Sequence, residues 1–293
     1  MPRALVSTGV ELEYDTFGSA SDPALLLVMG LTAQMTTWDE VFCRMLAAGG
    51  RFVIRFDNRD CGLSTKFDGQ VADLDGAMTA AFTDTPPPAV PYLLSDMAAD
   101  AIGLLDHLGI ERAHIMGASM GGMIVQTMAI EHPHRVSSMV SVMSQPGELD
   151  VGQPTPEAAI AIMAPPPNGR DEYIESSLTW QVWQSKKYRD DALSRERAAR
   201  DYDRSFYPEG GQRQLAAIYA SGRRTEGLQK LQVPTLVIHG RDDTLIHPSG
   251  GIRTAELIEG AHLLLLADMG HDIPEPLWPV VVDAVLSHTS RAV

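Results

Sequence analysis

Gly117-Ala118-Ser119-Met120-Gly121 sets a serine midway between two glycines spaced four apart. A serine becomes a nucleophile where a strand turns sharply into a helix. The bend lifts its oxygen to the end of a sheet, beside a helix N-terminus whose dipole favours developing negative charge. Both flanks fit this geometry. Ala113-His114-Ile115-Met116 is short and mostly apolar, like a buried strand, and Gly122-Met123-Ile124-Val125-Gln126-Thr127-Met128-Ala129 reads as a helix. The glycines at 117 and 121 remove side chains that would clash where strand and helix approach.

A seryl hydroxyl needs a base to take its proton and a carboxylate to orient that base. Of the nine histidines, His271 in Leu266-Ala267-Asp268-Met269-Gly270-His271-Asp272 stands apart. It follows the last strand-like run and precedes the C-terminal helix, so its loop can reach a neighbouring strand's end. The acid falls in Val237-Ile238-His239-Gly240-Arg241-Asp242-Asp243, again after a strand. Spacing alone does not choose between Asp242 and Asp243, and Asp150, after the preceding strand-like run, is a rival position. An oxyanion hole needs two backbone N–H groups. Met120, directly after the serine, supplies one. Leu31, in the turn after the first buried strand, is the choice for the other.

These residues need elements to hold them. Apolar runs at 24–29, 52–56, 114–116, 138–143, 235–238 and 263–266 read as strands buried on both faces, the habit of parallel sheets. Helical patterns lie between them, at about 38–48, 93–108, 120–131, 252–259 and 275–288. The alternation predicts an α/β fold, a mostly parallel sheet with helices on both faces. Val10 to Tyr14 alternates apolar with polar and suits an edge strand. Residues 66–91 have no clear period, end in Pro86-Pro87-Pro88, and read as a surface insertion. Residues 146–230 are charged and helical without a strand, and Pro165-Pro166-Pro167-Asn168-Gly169 divides them. They read as a helical cap inserted into a core of 1–145 and 231–293. Some of the cap aromatics Trp180, Trp183, Tyr188, Tyr202, Phe206 and Tyr207 are expected to line a pocket.

Composition excludes several classes. The chain has 293 residues and a formal net charge of −15, which repels phosphate backbones and anionic lipid and argues against nucleic-acid binding. No stretch approaches 18 uninterrupted apolar residues, so no membrane span is expected. No secretory signal is visible, and a cytoplasmic location is the default expectation. Cys43 and Cys61 form no cysteine framework. Cys43 reads as a small core residue. Cys61 lies in a loop, where a thiol can be reactive, although an inert role is favoured. Histidine and cysteine spacings fit no zinc site and G-x-G-x-x-G is absent, so neither metal nor organic cofactor is expected. Monomer and homo-oligomer are both left open.

With these residues in place, the chain resembles the α/β-hydrolase superfamily over nearly its whole length. The marks are Met29-Gly30-Leu31, Asp57-Asn58-Arg59-Asp60-Cys61-Gly62-Leu63-Ser64, Gly117 to Gly121, Gly240 to Asp243 and Gly270-His271, in the superfamily order Ser, Asp, His. Within it, Leu25 to Gly30, Arg55 to Asp60, Ala118 to Ile124 and Pro248-Ser249-Gly250-Gly251 are similar to the group containing aclacinomycin methyl esterase and mycobacterial lipase/esterase-like proteins. The resemblance implies the acid at Asp243, three residues after the glycine, and the oxyanion donor at Leu31, just after Gly30. Many relatives have His-Gly where this chain has Met29-Gly30, a departure that keeps the backbone donor. The activity implied is serine-dependent hydrolysis of a carboxylic ester, on a methyl or other small-alcohol ester of a bulky apolar acid. The fold also carries thioester and C–C hydrolysis, acyl transfer, perhydrolysis and lyase chemistry, and non-catalytic binding is a third reading. Dehalogenases and epoxide hydrolases of this superfamily carry aspartate where Ser119 stands.

Overall fold

The computed structural model describes residues 1–292. The chain opens with β1 (Arg3–Leu5), β2 (Glu11–Phe17) and β3 (Ala24–Val28), then α1 (Glu40–Ala48), β4 (Phe52–Phe56), α2 (Leu74–Thr83) and α3 (Leu94–His107). β5 (Ala113–Ala118), α4 (Met120–Glu131) and β6 (Val136–Val142) follow. Next come α5 (Pro156–Ile162), α6 (Arg170–Ser176), α7 (Asp191–Arg204), α8 (Pro208–Ala220) and α9 (Thr225–Gln229). The chain returns through β7 (Thr235–Gly240), α10 (Ser249–Leu257), β8 (His262–Leu266) and α11 (Trp278–Arg291).

The strands form one sheet in the order β1-β2-β4-β3-β5-β6-β7-β8. β1–β2 and β2–β4 pair antiparallel, and every later pair is parallel. The apolar runs alternate between two cores. On β3, Leu26 and Val28 join one, while Leu25 and Leu27 join the other. A strand covered by helices on both faces has no solvent side, so its sequence does not alternate in polarity.

β3 has β4 on one side and β5 on the other. The winding direction therefore reverses between β3 and β5, and the loops leaving their carboxyl ends part to leave a crevice. Gly30-Leu31 leaves one of these strands and Ser119 the other.

Two sequence expectations need correction. β2 is an internal strand; the short β1 takes the edge beside it, where Arg3 pairs with Glu11 and Glu13 at 2.8 and 2.9 Å. Residues 66–91 contain α2, capped at its start by the Asp73 carboxylate accepting from Gly76 N at 2.9 Å. α2 packs against α8, and its buried side chains are only Ala77 and Ala80. Alanines carry a weak apolar signal, which is why no period stands out there.

His114 sits on β5, buried, with Nδ1 2.8 Å from Ser138 Oγ on β6. Burial, with Arg51, His288 and Arg112 as neighbouring positive charges, lowers its pKa from 6.5 to about 4. The unfolded chain therefore binds this proton more readily than the fold. The fold loses stability as pH drops from about 6.5 to 4. His114→Asn, which keeps a polar group toward Ser138, should flatten the decline in Tm over that window. Thermal melts at half-unit pH steps on both proteins read the difference.

Candidate active site

Ser119 stands between β5 and α4 with φ 57° and ψ −119°, a conformation that costs a non-glycine residue of order 1–3 kcal/mol. The surrounding backbone enforces it. A Cβ on Gly117 would lie 2.0 Å from the Gly121 carbonyl oxygen, and one on Gly121 would lie 2.1 Å from the Val28 carbonyl oxygen. Strand β5, helix α4 and the end of β3 thus meet at distances only glycine permits. Ser119 N donates to Val142 O at 2.9 Å, and Ser144 Oγ donates to Ser119 O at 2.8 Å, so β6 braces the bend.

His271 Nδ1 lies 2.8 Å from Asp243 Oδ2. A nitrogen facing a carboxylate carries the proton, which leaves Nε2 as the acceptor. Asp243 is fully shielded from solvent, whereas Asp242 and Asp150 are exposed, so the structure brings only Asp243 to the histidine. Asp243 Oδ1 accepts from Leu245 N and Ile246 N, both at 2.9 Å. Burial alone would raise its pKa. The His271 charge and the hydrogen bonds from His239 and His271 outweigh that and hold it at about 2.

His239, on β7 four residues before Asp243, has no mark in the sequence that singles it out. It is fully buried, with Nε2 2.8 Å from Ile246 O and 3.2 Å from Asp243 Oδ2. Two acceptors around one nitrogen require an N–H there, so His239 Nε2 donates toward the carboxylate. The sequence signal was present, in His239-Gly240 at the end of β7, but it is shared by any strand-end histidine.

The loop carrying Leu31 is tied down on several sides. A Cβ on Gly30 would lie 3.1 Å from Ser119 Cβ and 3.6 Å from Met120 N, which puts this loop against the serine. Thr32, at φ 58°, donates its N–H to Gln214 Oε1 on α8 at 2.8 Å. Asn58 Nδ2 donates to Met29 O at 2.8 Å. The N–H groups of Leu31 and Met120 donate to no protein acceptor among the described residues. Cys61 is buried against Thr32 O at 3.2 Å, and burial pushes its thiol pKa up, so its loop position does not make it reactive.

The rest of Asp57-Asn58-Arg59-Asp60 is structural as well. Asp57 accepts from Met35 N and Leu63 N and pairs with Arg204 of α7 at 2.8 Å. Asp60 accepts from Arg213 of α8 at 2.8 and 3.0 Å and from Tyr92 Oη at 2.7 Å. Arg59 forks onto Asp100 at 2.6 and 2.7 Å. The helices between β6 and β7 also clamp the histidine loop, with His271 N donating to Trp183 O at 2.6 Å and Ser185 N to Asp272 Oδ1 at 2.8 Å.

Ser119, Met120, Leu31 and His271 all line one cavity of about 1290 Å³ between the sheet's carboxyl edge and the inserted helices. No hydrogen bond joins Ser119 Oγ to His271 Nε2 among the described residues; such contacts commonly tighten only when substrate is bound. Trp180, Trp183, Tyr188, Phe206 and Tyr207 line the cavity, whereas Tyr202 stacks on Phe206 with centroids 4.7 Å apart, behind the wall.

The fold and this arrangement define the class. A family model described as the alpha/beta hydrolase fold matches residues 23–275, and the chain belongs to that family. It is similar to rhodomycin D methylesterase DauP of Streptomyces sp. (strain C5), at 25% identity over 99% of this chain and 98% of that protein. It is also similar to putative carbamate hydrolase RutD of Variovorax paradoxus (strain S110), at 26% identity over 89% of each. Among solved structures, the meta-cleavage product hydrolase of Pseudomonas fluorescens IP01 superposes with a TM-score of 0.78 at 21% identity, over 100% of this chain and 98% of that one.

The pKa of Asp243 sets one expectation. The buried carboxylate is held at about 2, below its ordinary 3.8, so its ionised form stabilises the fold by on the order of 2 kcal/mol above about pH 4. That contribution is lost as pH falls toward 2. The Tm difference between wild type and Asp243→Asn should therefore be largest near neutral pH and shrink below pH 4, by differential scanning calorimetry.

Proposed function

We propose that this protein is a serine-dependent carboxylic ester hydrolase. The division into a core of 1–145 and 231–293 and a cap of 146–230 is part of that reading. The observation that carries it is the His271–Asp243 pair, 2.8 Å apart and buried, at a cavity that also exposes Ser119 on a strained bend. Ser119 Oγ attacks the ester carbonyl while His271 Nε2 takes its proton. The carbonyl oxygen becomes an oxyanion held by the N–H groups of Leu31 and Met120. His271 then returns the proton to the departing alkoxide, which leaves as the alcohol. Water, deprotonated by the same nitrogen, attacks the acyl-enzyme and frees the acid and Ser119. Asp243 keeps the imidazole in the correct tautomer and stabilises the imidazolium.

The cavity volume, about 1290 Å³, exceeds the roughly 300–1,000 Å³ typical of small-ligand pockets, which supports a bulky acyl group. Its aromatic wall supports an apolar one. A relative named as a methylesterase, matched over nearly the full length of both chains, supports a methyl or other small alcohol as the leaving group.

Hydrolysis of p-nitrophenyl esters of increasing chain length tests the reading. Wild type should turn over long acyl chains, and Ser119→Ala should lose about 10⁴-fold or more in kcat while keeping its Tm. Activity surviving in Ser119→Ala would contradict the assignment. Asp243→Asn should cost about 10³–10⁴-fold, through loss of the tautomer it enforces. Asp242→Asn, on an exposed side chain, should stay within about twofold. Equal losses in the two variants would overturn the choice of acid.

A further inference from the structure

Among the described residues the large cavity is lined by one buried arginine, and that arginine has no carboxylate partner. Arg224 is buried, 8% exposed, and lines the cavity at the point where the inserted helices rejoin the core. Three other buried arginines have carboxylate partners, Arg55 with Asp15, Arg59 with Asp100 and Arg213 with Asp60, as does the half-buried Arg204 with Asp57; Arg51, the remaining buried arginine among the described residues, lies away from the cavity and donates to Thr289 Oγ1, Ser290 Oγ and Gly50 O. Arg224 has none among the described residues. Its Nε donates to Gln126 Oε1 at 2.9 Å, Nη2 to Gln145 O at 2.9 Å, and Nη1 reaches Gly222 O only at 3.4 Å. A guanidinium has five N–H donors, so two remain uncommitted. Burial alone lowers its pKa to about 10, with no carboxylate to offset it.

The neighbouring groups leave this charge available. Glu148 also lines the cavity, but its carboxylate is held by Arg253 at 2.7 and 3.2 Å and by Thr225 Oγ1 at 2.8 Å. Arg223 pairs with Asp84 at 3.1 Å. Gln145 lines the cavity too, and its Oε1 is buried with no partner among the described residues. An amide turned by 180° presents NH₂ at that point, so Gln145 can serve as donor as well as acceptor. The cluster is linked to the candidate nucleophile by direct contacts. Ser144 Oγ bonds Ser119 O, Gln145 is the next residue, and Arg224 holds both Gln145 O and Gln126. Gln126 lies seven residues beyond Ser119 on α4, about 10 Å along the helix axis.

We propose that Arg224 and Gln145 form an anion subsite of the cavity, which receives a free carboxylate carried on the acyl part of the substrate. The proposal rests on the hydrolase reading, and it narrows the acyl group from merely bulky and apolar to one with an acidic far end. A carboxylate there supplies the counter-charge that the fold omits. It can also take the two uncommitted N–H groups in the planar fork that guanidinium offers.

The mono-p-nitrophenyl ester of suberic acid and p-nitrophenyl octanoate match in length and differ in the terminal charge. Wild type should favour the suberate ester by about tenfold or more in kcat/KM, chiefly through KM. The preference, taken as a ratio within each protein so that any general loss cancels, should fall about tenfold in Arg224→Gln and only partly in Arg224→Lys. A ratio near one in wild type, or one unchanged in a folded Arg224→Gln, overturns the subsite. A second readout needs neither turnover nor a folded Arg224 variant. Suberate monomethyl ester should bind Ser119→Ala by calorimetry about tenfold more tightly than methyl octanoate, and equal affinities overturn the proposal. Failure of wild type on both p-nitrophenyl esters with this binding preference intact would reject the hydrolase reading and leave the anion subsite standing.

Discussion

The close approach of β3, β5 and α4 around Ser119 is the constraint on which the rest of the structure depends. Two glycine Cα atoms sit where any Cβ would lie about 2 Å from a carbonyl oxygen. Only at that separation does the chain turn from strand to helix within one residue and hold Ser119 at positive φ. The same closeness brings the Gly30 loop against Ser119 and Met120 N, where the proposed mechanism puts the oxyanion. Strain of this kind persists because the surrounding sheet over-determines the backbone.

Around that point, buried polar contacts fix what the sheet alone does not. The inserted helices are fastened to the core by Arg204 on Asp57, Arg213 on Asp60 and Gln214 on Thr32 N, and they grip the His271 loop through Trp183 O. On the proposed mechanism these helices therefore do more than enclose substrate. They hold the base and one side of the oxyanion loop, so a disturbance in α7 or α8 reaches the chemistry without touching a reacting atom. Breaking a buried pair leaves an uncompensated charge, which makes these fasteners costly to remove singly.

Much of this was legible in the sequence because it depends on local rules. The glycine spacing around Ser119, the non-alternating strands and the loop position of His271 each follow from geometry that a short segment carries with it. What was not legible depends on contacts across the fold. Asp242 and Asp243 are neighbours, and only the path of the chain after β7 decides which one turns inward to His271. α2 leaves no apolar period because it buries alanines, and β2 reads as an edge because only three residues, Arg3–Leu5, cover it. His239, Gln214 and Arg224 carry no motif. Their roles come from partners more than 80 residues away in two of the three cases, Thr32 for Gln214 and Gln126 for Arg224.

The central claim is that Ser119 is the nucleophile activated by His271. Intact-protein mass spectrometry after brief exposure to a fluorophosphonate, with peptide mapping, addresses it most directly. The account predicts one adduct on wild type, carried by the peptide containing Ser119, absent in Ser119→Ala and formed much more slowly in His271→Ala. No adduct on wild type, or labelling that persists in Ser119→Ala, would contradict it.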